Sequence, residues 1–168
     1  MKSVLLRIPL ACLALLVAAG CSSTPRDANA PVFDNLIVPG QRIGPVSLGM
    51  PAKELVQAAG SPKETRRLPN RTVSEFSDGI VTVIRDSDLR VISIGTKDPW
   101  YATADGIRAG SSELEVRVHL GAAPQVVEDR RNPRIKTYCY PGLEVDFWPQ
   151  ERGVAAVRVT TLPCTHQF

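Results

Sequence analysis

Leu48-Gly49-Met50-Pro51-Ala52-Lys53-Glu54-Leu55-Val56-Gln57-Ala58-Ala59-Gly60 decides how this chain is read, because a later stretch repeats it. Ala109-Gly110-Ser111-Ser112-Glu113-Leu114-Glu115-Val116-Arg117-Val118-His119-Leu120-Gly121 carries the same two glycines and the same glutamate at matching positions. Further matches follow in order. Glu64-Thr65-Arg66-Arg67-Leu68-Pro69 corresponds to Glu128-Asp129-Arg130-Arg131-Asn132-Pro133, the turn Asp78-Gly79 to Pro141-Gly142, and Val91-Ile92-Ser93-Ile94 to Ala156-Val157-Arg158-Val159. The offset between copies drifts by only a few residues, always in loops, as small length changes after an internal duplication produce.

The repeat settles a local ambiguity. Leu114, Val116, Val118 and Leu120 alternate with polar residues, which alone suggests a strand. In the first copy Leu55, Val56 and Ala59 share a helical face instead, among good helix formers. Ser112 with Glu115 three residues on is a capping-box pattern, Gly121 is a C-terminal stop, and Pro51 suits a first helical turn. Both segments therefore read as short helices. Strands follow at 72–77, 80–85 and 90–95, and again at 135–140, 143–148 and 154–160, separated by Gly, Pro and Asp turn signals. The predicted fold class is α+β: two tandem units, each a short helical segment packed on a three- to four-stranded antiparallel meander. One face of such a sheet is covered by its helix and the other is open. Units of this size are marginal alone, so the two are expected to share a core or to continue one sheet.

The N-terminus sets the compartment. Lys2 and Arg7 precede a short apolar run that ends in Ala18-Ala19-Gly20-Cys21, too short to span a bilayer and typical of a cleaved signal. It is similar to a bacterial lipoprotein signal, which implies that Cys21 is lipidated and becomes the new N-terminus. Ala18 stands where that pattern usually has Leu, and Ala28-Asn29-Ala30 offers an ordinary cleavage site farther along, so plain secretion is the alternative. Ser22 resembles an outer-membrane sorting signal. The expected organisation is a signal peptide at 1–20, a lipidated cysteine and flexible tether at 21–36, a first repeat at 37–97, a linker at 98–105 and a second repeat at 106–168. Loss of the signal removes two cations and leaves acidic and basic side chains nearly balanced. That excludes a whole-protein field for nucleic acid.

Four cysteines are present. Cys12 lies in the signal and Cys21 is the lipid site, which leaves Cys139 and Cys164. In an oxidising envelope these two are expected to pair, closing a loop worth roughly 3.5 kcal/mol in the chain-entropy treatment. The alternative is a metal pair or reactive thiol, to which Cys164-Thr165-His166 adds a second donor type; without a matching cluster that is a weak zinc signal, and no metal or other cofactor is expected.

Leu-Gly-Met, a helix, Gly-x-Pro and a meander ending in a hydrophobic strand together resemble the small outer-membrane lipoproteins of the SmpA/OmlA type, over roughly 38–161. Those proteins are accessory subunits in β-barrel protein assembly. The tandem arrangement resembles the secreted β-lactamase inhibitor proteins. The resemblance implies a fold and an envelope role; it carries no partner-binding residues across.

An enzyme is not expected. The chain contains no Gly-x-Ser-x-Gly, His-Glu-x-x-His, phosphate loop or Cys-x-x-Cys. Glu115 and His119 are one helical turn apart, but no nucleophile stands at a recognisable spacing. Asp86-Ser87-Asp88 reads as a hairpin turn, lacking the further oxygen ligands of a cation loop. Binding is the better class. Arg66-Arg67 and Arg130-Arg131 occupy equivalent segments, which either form a basic strip for anionic headgroups or an acidic protein, or are solvated connections. Trp100 and Tyr101 in the linker either pack between the halves or form an exposed anchor. Phe147 and Trp148 are adjacent, so only one of them can face the core. Two functional readings follow. One is a membrane-anchored, non-catalytic interaction module of the outer membrane's periplasmic face, working in envelope or outer-membrane assembly. The other is an inhibitor or ligand-binding lipoprotein for a soluble periplasmic protein or a small envelope ligand.

Overall fold

The structure is a computed structural model that describes residues 34–164. The expected signal peptide, Cys21, most of the expected tether and His166 lie outside the described residues. Twelve strands dominate the described residues, with two eight-residue helices between them. Three short strands come first, β1 (Leu36–Val38), β2 (Arg42–Ile43) and β3 (Val46–Ser47), followed by α1 (Ala52–Ala59). Then come β4 (Glu64–Leu68), β5 (Arg71–Glu75), β6 (Ile80–Arg85), β7 (Arg90–Thr96) and β8 (Ala102–Thr103). The second half supplies α2 (Glu113–Leu120), β9 (Gln125–Glu128), β10 (Lys136–Tyr140), β11 (Leu143–Phe147) and β12 (Val154–Thr160).

These strands overturn the expected pair of helix-on-meander units. The protein is mostly β, and the strands of both repeats form one eight-stranded sheet in the order β4-β5-β6-β7-β12-β11-β10-β9. A four-stranded sheet, β3-β2-β1-β8, joins the N-terminal segment to the start of the second half through the parallel pairing of β1 with β8. The six strands read from the sequence are present. What was missed is β4, β9 and the small sheet. β4 is Glu-Thr-Arg-Arg-Leu and exposed along most of its length, so it carries no alternation to betray it. The segment 98–105, read as a linker, contains β8.

Local rules account for the helices. Ser112 accepts from the Glu115 N–H, and the Ser112 N–H donates to the Glu115 carboxylate at 2.6 Å, a complete capping box. Pro51 sits at the N-cap of α1 rather than in its first turn and makes no side-chain cap. Gly60 and Gly121 end the two helices with positive φ, 81° and 77°. The repeat is visible at atomic scale in how each helix is anchored. The Gly49 N–H donates to Val91 O and the Val91 N–H to Met50 O; the Gly110 N–H donates to Val154 O and the Val154 N–H to Ser111 O. Each helix is thereby tied to the last strand of its own repeat.

One hydrophobic cluster draws on both helices, the small sheet and the large sheet. Leu55 of α1, Val116 of α2, Ile37, Ile43 and Val46 of the small sheet and Tyr101 pack with Ile80, Ile94, Val145, Val157 and Val159 of the large sheet. The helices and small sheet thus cover one face of the large sheet. A smaller cluster of Val73, Val83 and Ile92 lies on the opposite face, with Leu162 packed against it. There the C-terminal segment crosses back, its Thr161 N–H donating to Ile92 O at 3.0 Å, and Cys164 forms a disulfide with Cys139 at a Cα–Cα distance of 6.1 Å.

Gly142 locks the two sheets together. The Gly40 N–H donates to Gly142 O at 2.7 Å. Gly142 has φ 71°, and a Cβ there would collide with the backbone of Gly40 and Pro39. Gly142→Ala is expected to lower the unfolding free energy by about 2 kcal/mol, measured by urea titration. Replacing both Cys139 and Cys164 by Ser is expected to cost about 2–4 kcal/mol in the same assay.

Candidate functional site

Strand register builds the site. On the face away from the helices one row of side chains crosses the whole sheet. Glu64 pairs with Glu75, Glu75 with Val81, Val81 with Gly95, Gly95 with Arg158, Arg158 with Glu144, Glu144 with Cys139, and Cys139 with Gln125. Directly opposed residues point the same way, so this row is one physical line. Gly95 is its low point. A Cβ at Gly95 would lie 2.9 Å from Arg158 Cγ, so the glycine leaves the space in which the arginine stem lies.

Beside Gly95 is a groove of about 350 Å³. Val73, Val81, Gly95 and Ala156 give it an apolar floor, and Glu64, Arg66, Glu75, Lys97 and Trp148 stand around it. Lys97 Nζ sits 4.3 Å from the centroid of the Trp148 ring, a cation–π contact that fixes one corner. Phe147 turns the other way and packs its ring 4.9 Å from that of Tyr138 in the main core. The adjacent aromatics are therefore divided between the two faces, as strand alternation requires.

A buried ionic cluster borders the groove. Arg158 Nη2 donates to Asp146 Oδ1 at 2.8 Å and lies 3.0 Å from Glu144 Oε2; Thr137 Oγ1 donates to Asp146 Oδ1 at 2.6 Å. All four residues are 4% exposed or less. In so dry a site the charged form of Glu144 is costly. Burial, opposed by Arg158 and reinforced by Asp146, pushes the Glu144 carboxyl up to about 6. Glu144 Oε1 is buried with no hydrogen-bond partner among the described residues. A carboxylate oxygen of Glu144 and the sulfurs of Cys139 and Cys164 all lie within 4.8 Å of one another. That donor set suits a metal on paper, but the joined sulfurs are not the thiolates a metal needs.

The residues singled out from the sequence are scattered. Arg66 lies on β4 and lines the groove, whereas Arg67, next along the strand, points to the other face. Arg130 and Arg131 occupy the exposed turn after β9, at the opposite edge of the sheet with six strands between. The two arginine pairs form no common strip. Tyr101 is buried, its hydroxyl donating to Asp78 Oδ2 at 3.1 Å, and burial with that carboxylate raises its pKa. Trp100 is 69% exposed, its carbonyl accepting from Asn35 Nδ2. Glu115 is engaged in capping its helix. Asp88 is held by Arg85 and Asp86 accepts from Thr72, so that acidic turn is spent internally. The sequence reading missed Arg158, Glu144 and Asp146 because polar residues alternating with apolar ones read as a solvated face. Gly95 inside an apolar strand, and Arg158 inside another, were the available signals.

No protein-family model matches the chain, and no curated protein sequence matches it. Among solved structures it is similar to a DUF4309 family protein (YjgB) from Bacillus subtilis, with 12% identity and a TM-score of 0.46 over 64% of this chain and 76% of that one. It is also similar to a cysteine-rich secretory protein (SAV1118) from Staphylococcus aureus, with 13% identity and a TM-score of 0.50 over 77% of this chain. The chain spans 50% of the length of that second protein, and the likeness concerns the fold alone. Neither is an SmpA/OmlA-type lipoprotein or a β-lactamase inhibitor protein. No helix among the described residues is long and apolar enough to cross a membrane.

The buried cluster gives a signed pH dependence. Because the Glu144 pKa is raised in the folded state, the fold binds a proton more tightly than the unfolded chain between the model-peptide value of 4.5 and about 6. Its contribution to stability is greatest below that window and is lost as pH rises through it. Glu144→Gln is expected to remove this component of the pH slope, measured as unfolding free energy at a series of pH values.

Proposed function

We propose that this protein is a non-catalytic interaction module, lipid-anchored at Cys21 to the periplasmic face of the outer membrane, that engages an envelope protein in outer-membrane assembly or maintenance. The observation that carries the binding part is the groove beside Gly95. It has an apolar floor, charges of both signs at its rim, and an aromatic ring at one corner, a combination suited to a partner segment that brings both apolar and charged side chains. Support for the anchor comes from the charged start, short apolar run and Gly20-Cys21 junction. The exposed Trp100 beside Asn35 adds a second surface close to where the described chain begins. A second reading, a small envelope ligand, is favoured by the groove's volume, which falls at the low end of small-molecule sites.

A photoreactive residue at Lys97, crosslinked in intact cells, is expected to capture an envelope protein. Trp148→Ala is expected to cut that capture about tenfold by removing a half-buried aromatic anchor, with the near-ultraviolet spectrum used to check the fold. Capture of no protein, with retention of a small molecule on the purified chain, would favour the second reading. Cys21→Ser is expected to move the protein from the membrane fraction to the periplasmic fraction, read by fractionation and intact mass. An unmodified Cys21 in the membrane-bound wild type sinks the anchor.

A further inference from the structure

The disulfide between Cys139 and Cys164 stands in unusual company. Cys139 is 7% exposed and sits directly opposite Glu144 in the β10–β11 register, while Cys164 is half-buried at the end of the crossing C-terminal segment. Glu144 turns one oxygen to Arg158, and Oε1 is buried with no donor among the described residues. An orphaned acceptor in a dry site costs about 1–3 kcal/mol, so a group that could satisfy it has energetic consequences. Apart from Arg158, the charged group that faces Glu144 is Asp146 on its own strand; from β10 and the C-terminal segment it is faced by the disulfide. Reduction would create a new donor there, the Cys139 thiol.

We propose that Cys139–Cys164 is a redox-exchange site for a dithiol reductant, in which Glu144 delivers the proton to Cys139 as the disulfide opens. A thiolate of the dithiol attacks Sγ of Cys164, the less buried of the two cysteines. The S–S bond breaks and its electron pair leaves on Cys139 Sγ, which takes the proton of the Glu144 carboxyl. The second thiol of the reductant loses its proton to water and attacks the mixed disulfide on Cys164; the released Cys164 thiolate takes a proton from water in turn. Two electrons pass in all: the dithiol is oxidised to a disulfide and the protein disulfide is reduced to two thiols. Burial supplies the acid, since it holds a proton on Glu144 at mildly acidic pH where an ordinary glutamate is ionised. Reduction also frees the end of the segment whose Leu162 covers Val73, Val83 and Ile92, so the exchange controls access to that side of the free face.

The test uses the full chain in detergent, with Cys12 and Cys21 replaced by Ser so that one disulfide reports. Reduction by dithiothreitol is followed by quenched alkylation and mass spectrometry from about pH 5 to about pH 8, and each rate is divided by the reagent's thiolate fraction. The corrected rate is expected to be at least about tenfold higher below pH 6 than at pH 8, and Glu144→Gln is expected to abolish that dependence. A flat profile in the unmutated site overturns the proposal, with no variant needed. So does an equal pH dependence in Glu144→Gln when its near-ultraviolet spectrum shows an intact fold, since a merely structural glutamate would leave the profile unmoved.

Discussion

The antiparallel pairing of β7 with β12 is the interaction on which everything else depends. Ser93, Ile94, Gly95 and Thr96 lie opposite Thr160, Val159, Arg158 and Val157, and this ladder turns two four-stranded halves into one sheet. Each strand is the last of its repeat. Left alone, each half would end in a long, apolar, exposed edge, the kind of surface that recruits other strands. Paired, these edges become the most buried strands of the molecule. The polar strand β4 and the short strand β9 remain as the edges of this sheet.

The same ladder creates the site. Gly95 and Arg158 come from different repeats, and only their pairing lets the arginine stem lie over the glycine. That placement carries the guanidinium to Glu144 and Asp146 on the far side of β12 and leaves a groove beside Val81. A buried ionic cluster is a poor source of stability in itself, because desolvation offsets most of the attraction. Its effect is positional. It fixes three charged side chains beneath the groove and puts a carboxyl group of raised pKa against the disulfide.

Division of labour between the two faces follows. The helices and the small sheet close one face into a single apolar core, with the helices anchored through Gly49 and Gly110 to the ends of β7 and β12. The other face keeps the charged row, the groove and a thin cover from the C-terminal segment pinned by Cys164. A rigid back and a partly covered front are what a binding surface needs to be shaped without being filled.

How much of this was legible depends on range. The sequence by itself determined the two helices, because the Ser112–Glu115 box and the terminal glycines are local signals. It gave six strands by their alternation and turns, and it pointed to the Cys139–Cys164 pairing that the structure contains. It also required Phe147 and Trp148 to face opposite ways. Only the tertiary structure decided that the halves merge into one sheet, that Arg66-Arg67 and Arg130-Arg131 lie at opposite edges, and that Tyr101 is buried while Trp100 is exposed. The physical reason is that alternation states which residues share a face, not what covers that face. Glu144, Asp146 and Arg158 read as solvated until a strand some sixty residues away and a crossing tail dried them.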